Sequence, residues 1–254
     1  MNTIAIINQK GGVAKTTTAH AIGAGLALKG YRVLFVDLDA QGNLSYAMGA
    51  TRGDYNALDI LQGKAPSQKA VQSTAQGDII PYSPALSGAD AILTATGKEY
   101  RLVEALNQLQ GAYDYCILDT PPALGVLTVN ALAACTGAII PAQADIYSLH
   151  GIGQLYDTLQ TVKKYCNPAL SILGIVLTRH NGRAILSREV ADKIEQTAAQ
   201  LDTRLYRSYI RECIALREAQ AVKQSIFEYA PRSNAAEDYG ALVDEILEEV
   251  QHNG

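Results

Sequence analysis

Short apolar runs alternate with longer amphipathic stretches along most of the chain. Five of these runs are rich in β-branched residues and apolar almost throughout: TIAII (3–7), RVLFVD (32–37), DYCILD (114–119), GAIIPA (137–142) and SILGIVLT (171–178). Parallel strands that are covered on both faces have this character, whereas half-exposed strands alternate between apolar and polar residues. We therefore predict five buried strands.

The stretch between the first two runs predicts a helix. In KTTTAHAIGAGLALKG (15–30) the apolar positions follow helical spacing, and Gly30 stands where a helix stop belongs. This strand–helix–strand unit is expected to have a right-handed crossover. Because the alternation continues without a Gly/Ser-rich linker, we expect residues 1–254 to form one α/β domain, a doubly wound, mostly parallel sheet with helices on both faces. The periodicity is weakest over 51–78 and 83–98.

Composition excludes several classes of protein. The chain has 254 residues, of which 48% are hydrophobic and 18% charged, and it contains no apolar run of the roughly 18 residues that a membrane helix needs. The apolar stretch near the N-terminus is too short and uncharged for a signal peptide. The cysteines are scattered without C-x-x-C spacing, which favours buried thiols in a reducing cytosol over a disulfide or metal site. They are Cys116, Cys135, Cys166 and Cys213.

The net charge of −4 is unevenly distributed. Residues 1–162 carry 9 Lys and Arg against 12 Asp and Glu, whereas residues 163–223 carry 11 against 6. The last segment, 224–254, carries 1 against 7. The basic segment is either a local anion-binding face or a set of solvated helix faces, and charge counts alone leave both interpretations open.

The segment NQKGGVAKTTT (8–18), between the first predicted strand and helix, has the composition of a phosphate-binding loop. Gly11 and Gly12 allow positive φ angles, and the amides of residues 11–16 can converge on a β-phosphate at the positive end of the helix. Lys15 would then reach the β- and γ-phosphates, and the Thr16 hydroxyl would ligate Mg²⁺. The common pattern G-x-x-x-x-G-K-[ST] is not fully met, because glutamine and alanine replace its glycines.

The pattern K-G-G-x-x-K-T-T resembles the deviant Walker A motif of the ParA/MinD ATPases. The resemblance implies ATP or ADP and Mg²⁺ as cofactors. It also implies that Lys10 is a signature lysine, which reaches phosphates bound by the other subunit of an ATP-dependent homodimer and so takes part in catalysis. The nucleotide-binding residues that it implies are Lys10, Gly11, Gly12, Val13, Ala14, Lys15, Thr16 and Thr17.

Carboxylates follow two of the predicted strands. The segment DLDAQGN (37–43) resembles the family's D-x-D-x-Q-G-N segment, with alanine where proline is common. The resemblance implies that Asp39 positions or activates the attacking water, while Asp37 ends the strand and supports the metal shell. The strand within YDYCILDTPP (113–122) ends in Asp119, where a P-loop enzyme holds Mg²⁺, usually through water. The following TPPALG resembles the family's switch II.

The resemblance covers nearly the whole chain and is closest to the Soj-like branch, which lacks an N-terminal helix-turn-helix. The phosphate loop begins by residue 10, so we expect no such domain. The chain departs from the family at IRECIALREAQ (210–220), where relatives usually read Ile-Pro-Arg-Asn and line the adenine. Arg211 and Cys213 stand at the proline and asparagine positions, so we expect nucleotide contacts there to be made by the backbone.

The first functional hypothesis is DNA partitioning in the cytoplasm of a bacterium, at the nucleoid. ATP would close the dimer, joined basic faces would bind double-stranded DNA without reading its sequence, and a ParB-like centromere-binding partner would stimulate hydrolysis. The candidate DNA-binding residues are Arg179, Arg183, Arg188, Arg204, Arg207, Arg211, Arg217 and Lys223.

Three alternatives are weaker. A MinD-like membrane ATPase needs a basic amphipathic C-terminal helix, but the tail DYGALVDEILEEVQHNG is acidic, so we expect no stable membrane association. We expect this tail to pack on the sheet through Leu242, Ile246, Leu247 and Val250. A reductase of the nitrogenase iron-protein type needs exposed cysteines, whereas Cys116 and Cys135 lie within a predicted strand and helix. Asp39 and Asp119 argue against a nucleotide sensor without enzymatic activity.

Overall fold

The computed structural model describes residues 1–180 and 185–252, and within them eight strands form one sheet. The order of the strands is β3-β4-β2-β5-β1-β6-β7-β8, and neighbouring strands are parallel except for the antiparallel pair β3 and β4. The strands are β1 Asn2–Ile6, β2 Val33–Asp37, β3 Gln72–Thr74, β4 Gly77–Ile80, β5 Tyr115–Asp119, β6 Gly137–Ala142, β7 Ser171–His180 and β8 Ile210–Arg211. The predicted fold class is confirmed.

Helices cover both faces of this sheet. They are α1 Lys15–Leu28, α2 Asn43–Ala47, α3 Ala57–Leu61, α4 Ser67–Ala70, α5 Ala89–Ile92, α6 Arg101–Asn107, α7 Val126–Ala134, α8 Ile146–Tyr165, α9 Ile185–Gln200, α10 Ala215–Ala221, α11 Ile226–Tyr229 and α12 Asn234–His252, with 3₁₀ turns at Pro84–Gly88 and Lys98–Tyr100. Successive side chains of a strand point to opposite faces of the sheet, so they belong to different hydrophobic cores. In β1, Ala5 packs in the core with α3 and α6 to α9, whereas Ile4 and Ile6 pack in the core with α1 and α12.

All five predicted strands are present, with ends that differ by at most two residues. The prediction missed three others. β3 lies in the region of weak periodicity and β4 begins at its end, and Gln72–Thr74 is a short polar strand at the edge of the sheet. β8 has only two residues, too few for any alternation to be visible.

The predicted first helix is confirmed, and it ends as expected before Gly30, which has a φ of +89°. The acidic tail forms α12, and its apolar side packs into the core that α1 shares with the sheet. Leu242 and Ile246 are fully buried there and Leu247 is partly buried. The Val250 side chain lies outside the described part of the chain.

Close contact between α1 and β2 gives a stability prediction. A Cβ added at Gly23 would lie 2.2 Å from Cε1 of the buried Phe35 ring, so Gly23→Ala should lower the free energy of unfolding by about 1–3 kcal/mol. Gly240 lies in α12 with nothing within 4 Å of such a Cβ. Gly240→Ala should therefore raise the free energy of unfolding by about 0.5–1 kcal/mol through helix propensity. Urea unfolding of both variants checks this, and a shift of the same sign in both would contradict the packing account.

Candidate nucleotide-binding site

A cleft of about 490 Å³ opens where α1 begins and where β1, β2 and β5 end. Open α/β sheets bind their ligands at this carboxyl edge of the strands. We call this space the phosphate cleft. Its lining residues are Gly11, Gly12, Ala14, Lys15, Thr16, Thr17, Asp39, Gln41, Asn43, Pro122, Arg179 and Gln220.

The loop between β1 and α1 has the conformation that the phosphate-binding motif predicts. Gly12 has a φ of +79°, and Ala14, at the N-cap of α1, has a φ of +67°. Left-handed backbone costs a residue with a Cβ roughly 1 kcal/mol, so Ala14 holds under strain a geometry that glycine adopts freely. Val13 is fully buried and anchors the loop, while Gly11 and Gly12 are exposed to the cleft.

Lys15 is a buried cation at the floor of the cleft. Its ammonium Nζ lies 3.4 Å from the Lys10 carbonyl oxygen. Burial lowers the pKa of Lys15, and this outweighs the opposing effect of the nearby Asp119 and Asp39 carboxylates. A desolvated ammonium that faces the cleft is well placed to bind phosphate.

Asp37 fixes the loop that follows β2. It is fully buried and accepts hydrogen bonds from the Asp39 amide at 3.1 Å, the Ser45 amide at 2.8 Å and the Ser45 hydroxyl at 2.7 Å. Burial raises the pKa of Asp37 to about 6, despite these donors. Asp37 ends β2 as predicted, and it holds the 38–43 loop against α2.

Asp119 is a buried carboxylate that accepts no hydrogen bond from the described residues. In the sheet it pairs with Ile6 on one side and Asp37 on the other, and neither of its oxygens has a hydrogen-bond partner among the described residues. Burial, and then the Asp37 charge, raise its pKa well above the usual range. The Thr16 hydroxyl lies near enough to oppose that rise, although without the geometry of a hydrogen bond. Unsatisfied carboxylate oxygens beside a hydroxyl are hard ligands that fit a hydrated Mg²⁺.

Asp39 lies at the rim of the phosphate cleft, half-buried. Its Oδ1 accepts a hydrogen bond from the Gln41 amide at 3.0 Å, and its carbonyl accepts one from the Gly42 amide at 2.9 Å. These bonds form a tight turn that places the exposed Gln41 and Asn43 on the same wall of the cleft. The structure therefore brings Asp39 together with Lys15 and Thr16.

Lys10 is held apart from the other loop lysine. Its backbone amide donates to the Asn8 side chain at 2.9 Å, and its ammonium forms an ion pair with Asp145. Asp145 caps α8 by accepting from the Ser148 amide at 2.9 Å. Although burial raises the pKa of Asp145, its bonds to Lys10 and Ser148 bring that pKa below the ordinary value.

A smaller pocket of about 50 Å³, which we call the side pocket, adjoins the loop. Arg211 and Cys213 both line it, together with Ala14 and Thr17. The Arg211 guanidinium is bound to α12, with Nη2 at 2.6 Å from an Asp238 oxygen. The other residues that line the side pocket are Thr178, Arg179, Ile210, Glu212, Leu216, Arg217 and Tyr239.

The predicted DNA-binding residues fall in different places. Arg204 pairs with Glu249 and Arg207 lies 3.7 Å from Glu245, so the acidic α12 offsets in space the positive excess of residues 163–223. Arg179 and Arg217 line the pockets described above. Arg188 is exposed on α9, and Lys223 is exposed with its ammonium 5.5 Å from the Tyr46 ring centroid. Arg183 lies outside the described residues.

The cysteines do not form an exposed site. Cys116 and Cys135 are buried, as expected, and burial raises the pKa of Cys135 to about 12. Cys166 and Cys213 are partly buried, and the two cysteines weighed for the iron-protein alternative, Cys116 and Cys135, are not accessible. Across residues 1–180 and 185–252, no helix combines the length and the apolar character needed to cross a bilayer.

Four residues that support the site were missed by sequence reasoning. Asp145 and Ser148 match the Asp-x-x-Ser spacing of a helix cap, which could have been noticed. Ser45 follows the 38–43 loop but carries no motif of its own. Gln220 lies about 200 residues from the phosphate loop, and only the folded chain brings its amide to the Thr17 hydroxyl.

A mostly parallel sheet with a phosphate loop after β1 and carboxylates at the ends of β2 and β5 defines a P-loop nucleoside triphosphatase. A family model described as an AAA domain matches residues 1–172. The sporulation initiation inhibitor protein Soj of Bacillus subtilis is 40% identical over 96% of this chain and 97% of its own. The chromosome-partitioning ATPase Soj of Thermus thermophilus is 40% identical over 98% and 96%. The chain therefore belongs to the ParA/Soj family of partitioning ATPases.

A solved structure agrees with this fold. Cobyrinic acid a,c-diamide synthase from Mycobacterium smegmatis, with bound ADP and magnesium, matches with a TM-score of 0.86 and 33% identity. The match covers 99% of this chain and 96% of that one. A relative with bound ADP and magnesium is consistent with the phosphate and metal chemistry that the residues themselves provide.

The unpartnered Asp119 gives a second prediction. Asp119→Asn removes a buried charge beside Asp37, so the free energy of unfolding of the nucleotide-free protein should rise by about 1–2 kcal/mol at pH 8. The rate of ATP hydrolysis should fall about 100-fold or more. Asp78 is a matched control, because its oxygens accept from Ser73 at 2.6 Å and Tyr113 at 2.8 Å. Asp78→Asn should lose stability and retain hydrolysis. Urea titrations and phosphate release measure both effects, and a stability loss in Asp119→Asn would contradict the assignment.

Proposed function

We propose that this protein is a DNA-partitioning ATPase that dimerises with ATP and binds DNA without sequence preference in that state. The observation that carries the proposal is the second loop lysine, Lys10, whose ammonium is paired with Asp145 at the start of α8 and not with its own loop. A P-loop enzyme that acts as a monomer has no use for this lysine. The relatives that are 40% identical, one of them named as a chromosome-partitioning ATPase, support the same role.

The chemistry assigned to the site is hydrolysis of ATP. The amides of Gly11 to Thr16 and the buried Lys15 hold the phosphates, and Thr16 and Asp119 hold Mg²⁺, Asp119 through water. When bound, Mg²⁺ neutralises charge on the β- and γ-phosphate oxygens. Asp39, on the wall of the phosphate cleft, orients the attacking water for in-line displacement. Residues 1–254 then act as one ATPase domain.

Lys10 makes this hydrolysis depend on a second subunit. Two nucleotides that face each other across a dimer bring several negative charges together, and a lysine from each side offsets their repulsion. Lys10 must exchange Asp145 for the partner's phosphates, and until a dimer forms the ion pair holds its ammonium near the surface. Its side chain is 32% exposed, which leaves it accessible for that exchange.

DNA binding then rests on the basic residues that α12 does not neutralise. Arg188 and Lys223 are exposed, and dimerisation doubles the phosphate contacts that they can make. A ParB-like partner would stimulate hydrolysis and release the DNA. We expect the protein at the nucleoid in the bacterial cytoplasm.

The acidic tail disfavours the MinD-like alternative. The apolar side of α12 is buried through Leu242, Val243 and Ile246, so it is not available to insert into a membrane. Asp244, Glu245 and Glu248 would also repel anionic lipids.

Dimerisation is tested with Lys10→Ala in a slowly hydrolysing Asp39→Ala background. Lys10→Ala should bind ATP within about threefold of the parent, because Lys15 holds the phosphates, yet stay monomeric by light scattering. Lys29→Ala is the matched control, since Lys29 pairs with Asp244 on the surface away from the cleft, and it should dimerise normally. An ATP-dependent doubling of mass in Lys10→Ala would contradict the role of this lysine.

DNA binding is tested with Asp39→Ala and an arbitrary duplex in the presence of ATP, ADP or no nucleotide. Binding is expected only with ATP. Its affinity should fall as salt is raised from 50 to 200 mM, and the slope of log binding constant against log salt concentration should be about −0.9 for each DNA phosphate that the protein neutralises. Replacing Arg188 and Lys223 together by alanine should flatten that slope, whereas Arg101→Ala, at a surface pair with Glu104, should not. Equal binding with ADP and ATP would overturn the switch.

A further inference from the structure

Gln220 reaches the phosphate cleft from a part of the chain that carries no nucleotide motif. It lies near the end of α10, half-buried, and its side-chain Nε2 donates a hydrogen bond to the Thr17 hydroxyl oxygen at 3.0 Å. The same glutamine lines the phosphate cleft beside Lys15 and Thr16. Its contact is therefore with a hydroxyl that faces ligand space.

Thr17 lies between the two spaces that border the phosphate loop. It lines both the phosphate cleft and the side pocket that Arg211 and Cys213 border. Its neighbour Thr16 lies near Asp119, at the metal end of the cleft. A nucleotide whose metal-bound phosphates lie beside Thr16 and Asp119 would therefore place the phosphate nearest the ribose, which ATP and ADP have in common, at the Thr17 hydroxyl.

The direction of the hydrogen bond decides what Thr17 can offer to this phosphate. A threonine hydroxyl has one hydrogen and can also accept, whereas an amide N–H can only donate. Because Gln220 donates to the Thr17 oxygen, the hydroxyl hydrogen stays free to donate to a phosphate oxygen. A hydrogen bond to an anionic oxygen is worth more than one between neutral groups.

We propose that Gln220 is a positioning residue for the nucleotide, which holds the Thr17 hydroxyl as a donor toward the phosphate nearest the ribose. This inference rests on the proposed nucleotide binding, but it does not depend on dimerisation, DNA or a partner protein. It predicts equal effects on ATP and ADP, because the phosphate that Thr17 addresses is present in both.

Substitutions at position 220 that remove or reverse the hydrogen bond to Thr17 test the proposal. Gln220→Met keeps the length and loses the donor, so the Kd values for ADP·Mg²⁺ and for ATP·Mg²⁺, the latter in the Asp39→Ala background, should both rise about 5- to 10-fold. Gln220→Glu can only accept, so the hydroxyl hydrogen turns away from the phosphate and a negative charge approaches it. Its Kd values should rise at least about 100-fold. Calorimetric titration measures both.

Two controls separate positioning from folding. Gln224 follows α10, is exposed, and its side chain makes no hydrogen bond within the described residues, so Gln224→Met should bind like the parent. Thr17→Val removes the hydroxyl through which Gln220 acts. Adding Gln220→Met to it should therefore weaken binding no further, and the unfolding midpoints of the nucleotide-free variants should stay close to that of the parent.

Wild-type affinity in Gln220→Met, full additivity with Thr17→Val, or a loss confined to ATP would each overturn the proposal. Affinity of Gln220→Glu equal to or better than that of Gln220→Met would do the same, because it would mean that position 220 accepts from Thr17. Failure of the parent protein to bind either nucleotide would instead overturn the proposed function.

Discussion

The site is organised around two carboxylates that are buried side by side at the ends of adjacent strands. Asp37 and Asp119 are paired in the sheet, and both are fully buried. Three hydrogen bonds compensate Asp37, whereas Asp119 has the Thr16 hydroxyl and the buried Lys15 ammonium nearby to offset its charge, without a hydrogen bond from any described residue. An isolated chain segment would not hold such charges together. The sheet can, because apolar cores on both of its faces fix the positions of β2 and β5.

The same constraint gives the two loop lysines different tasks. Lys15 is desolvated and faces the carboxylates, so it belongs to the subunit's own nucleotide. Lys10 is half-exposed and paired with the cap of α8, so its charge is available to a neighbour. A loop in which both lysines faced inward would place two cations on one set of phosphates and leave none to link subunits. In the proposed function, this arrangement would make association of two subunits depend on the γ-phosphate.

Much of this could be predicted from local sequence, because the phosphate loop, its helix and the five apolar strands depend on neighbouring residues. The family that the motif indicated is confirmed by relatives that are 40% identical. Contacts between distant segments could not be predicted in the same way. Charge counts along the chain left a basic face and solvated helix faces both open, and in the structure Arg204 and Arg207 meet acidic residues of α12 that lie about 40 residues later. The Gln220–Thr17 and Lys10–Asp145 contacts are likewise formed only by the fold.

The dependence of ATP hydrolysis on protein concentration tests most directly the claim that a lysine from one subunit completes the site of another. Turnover per subunit should be measured with saturating ATP·Mg²⁺, without DNA or partner protein, over a range of concentrations below and above the dimer dissociation constant. If Lys10 acts across the interface, turnover per subunit rises in proportion to concentration in the dilute range and then reaches a plateau. A turnover per subunit that stays constant down to concentrations at which light scattering finds only monomer would contradict the account.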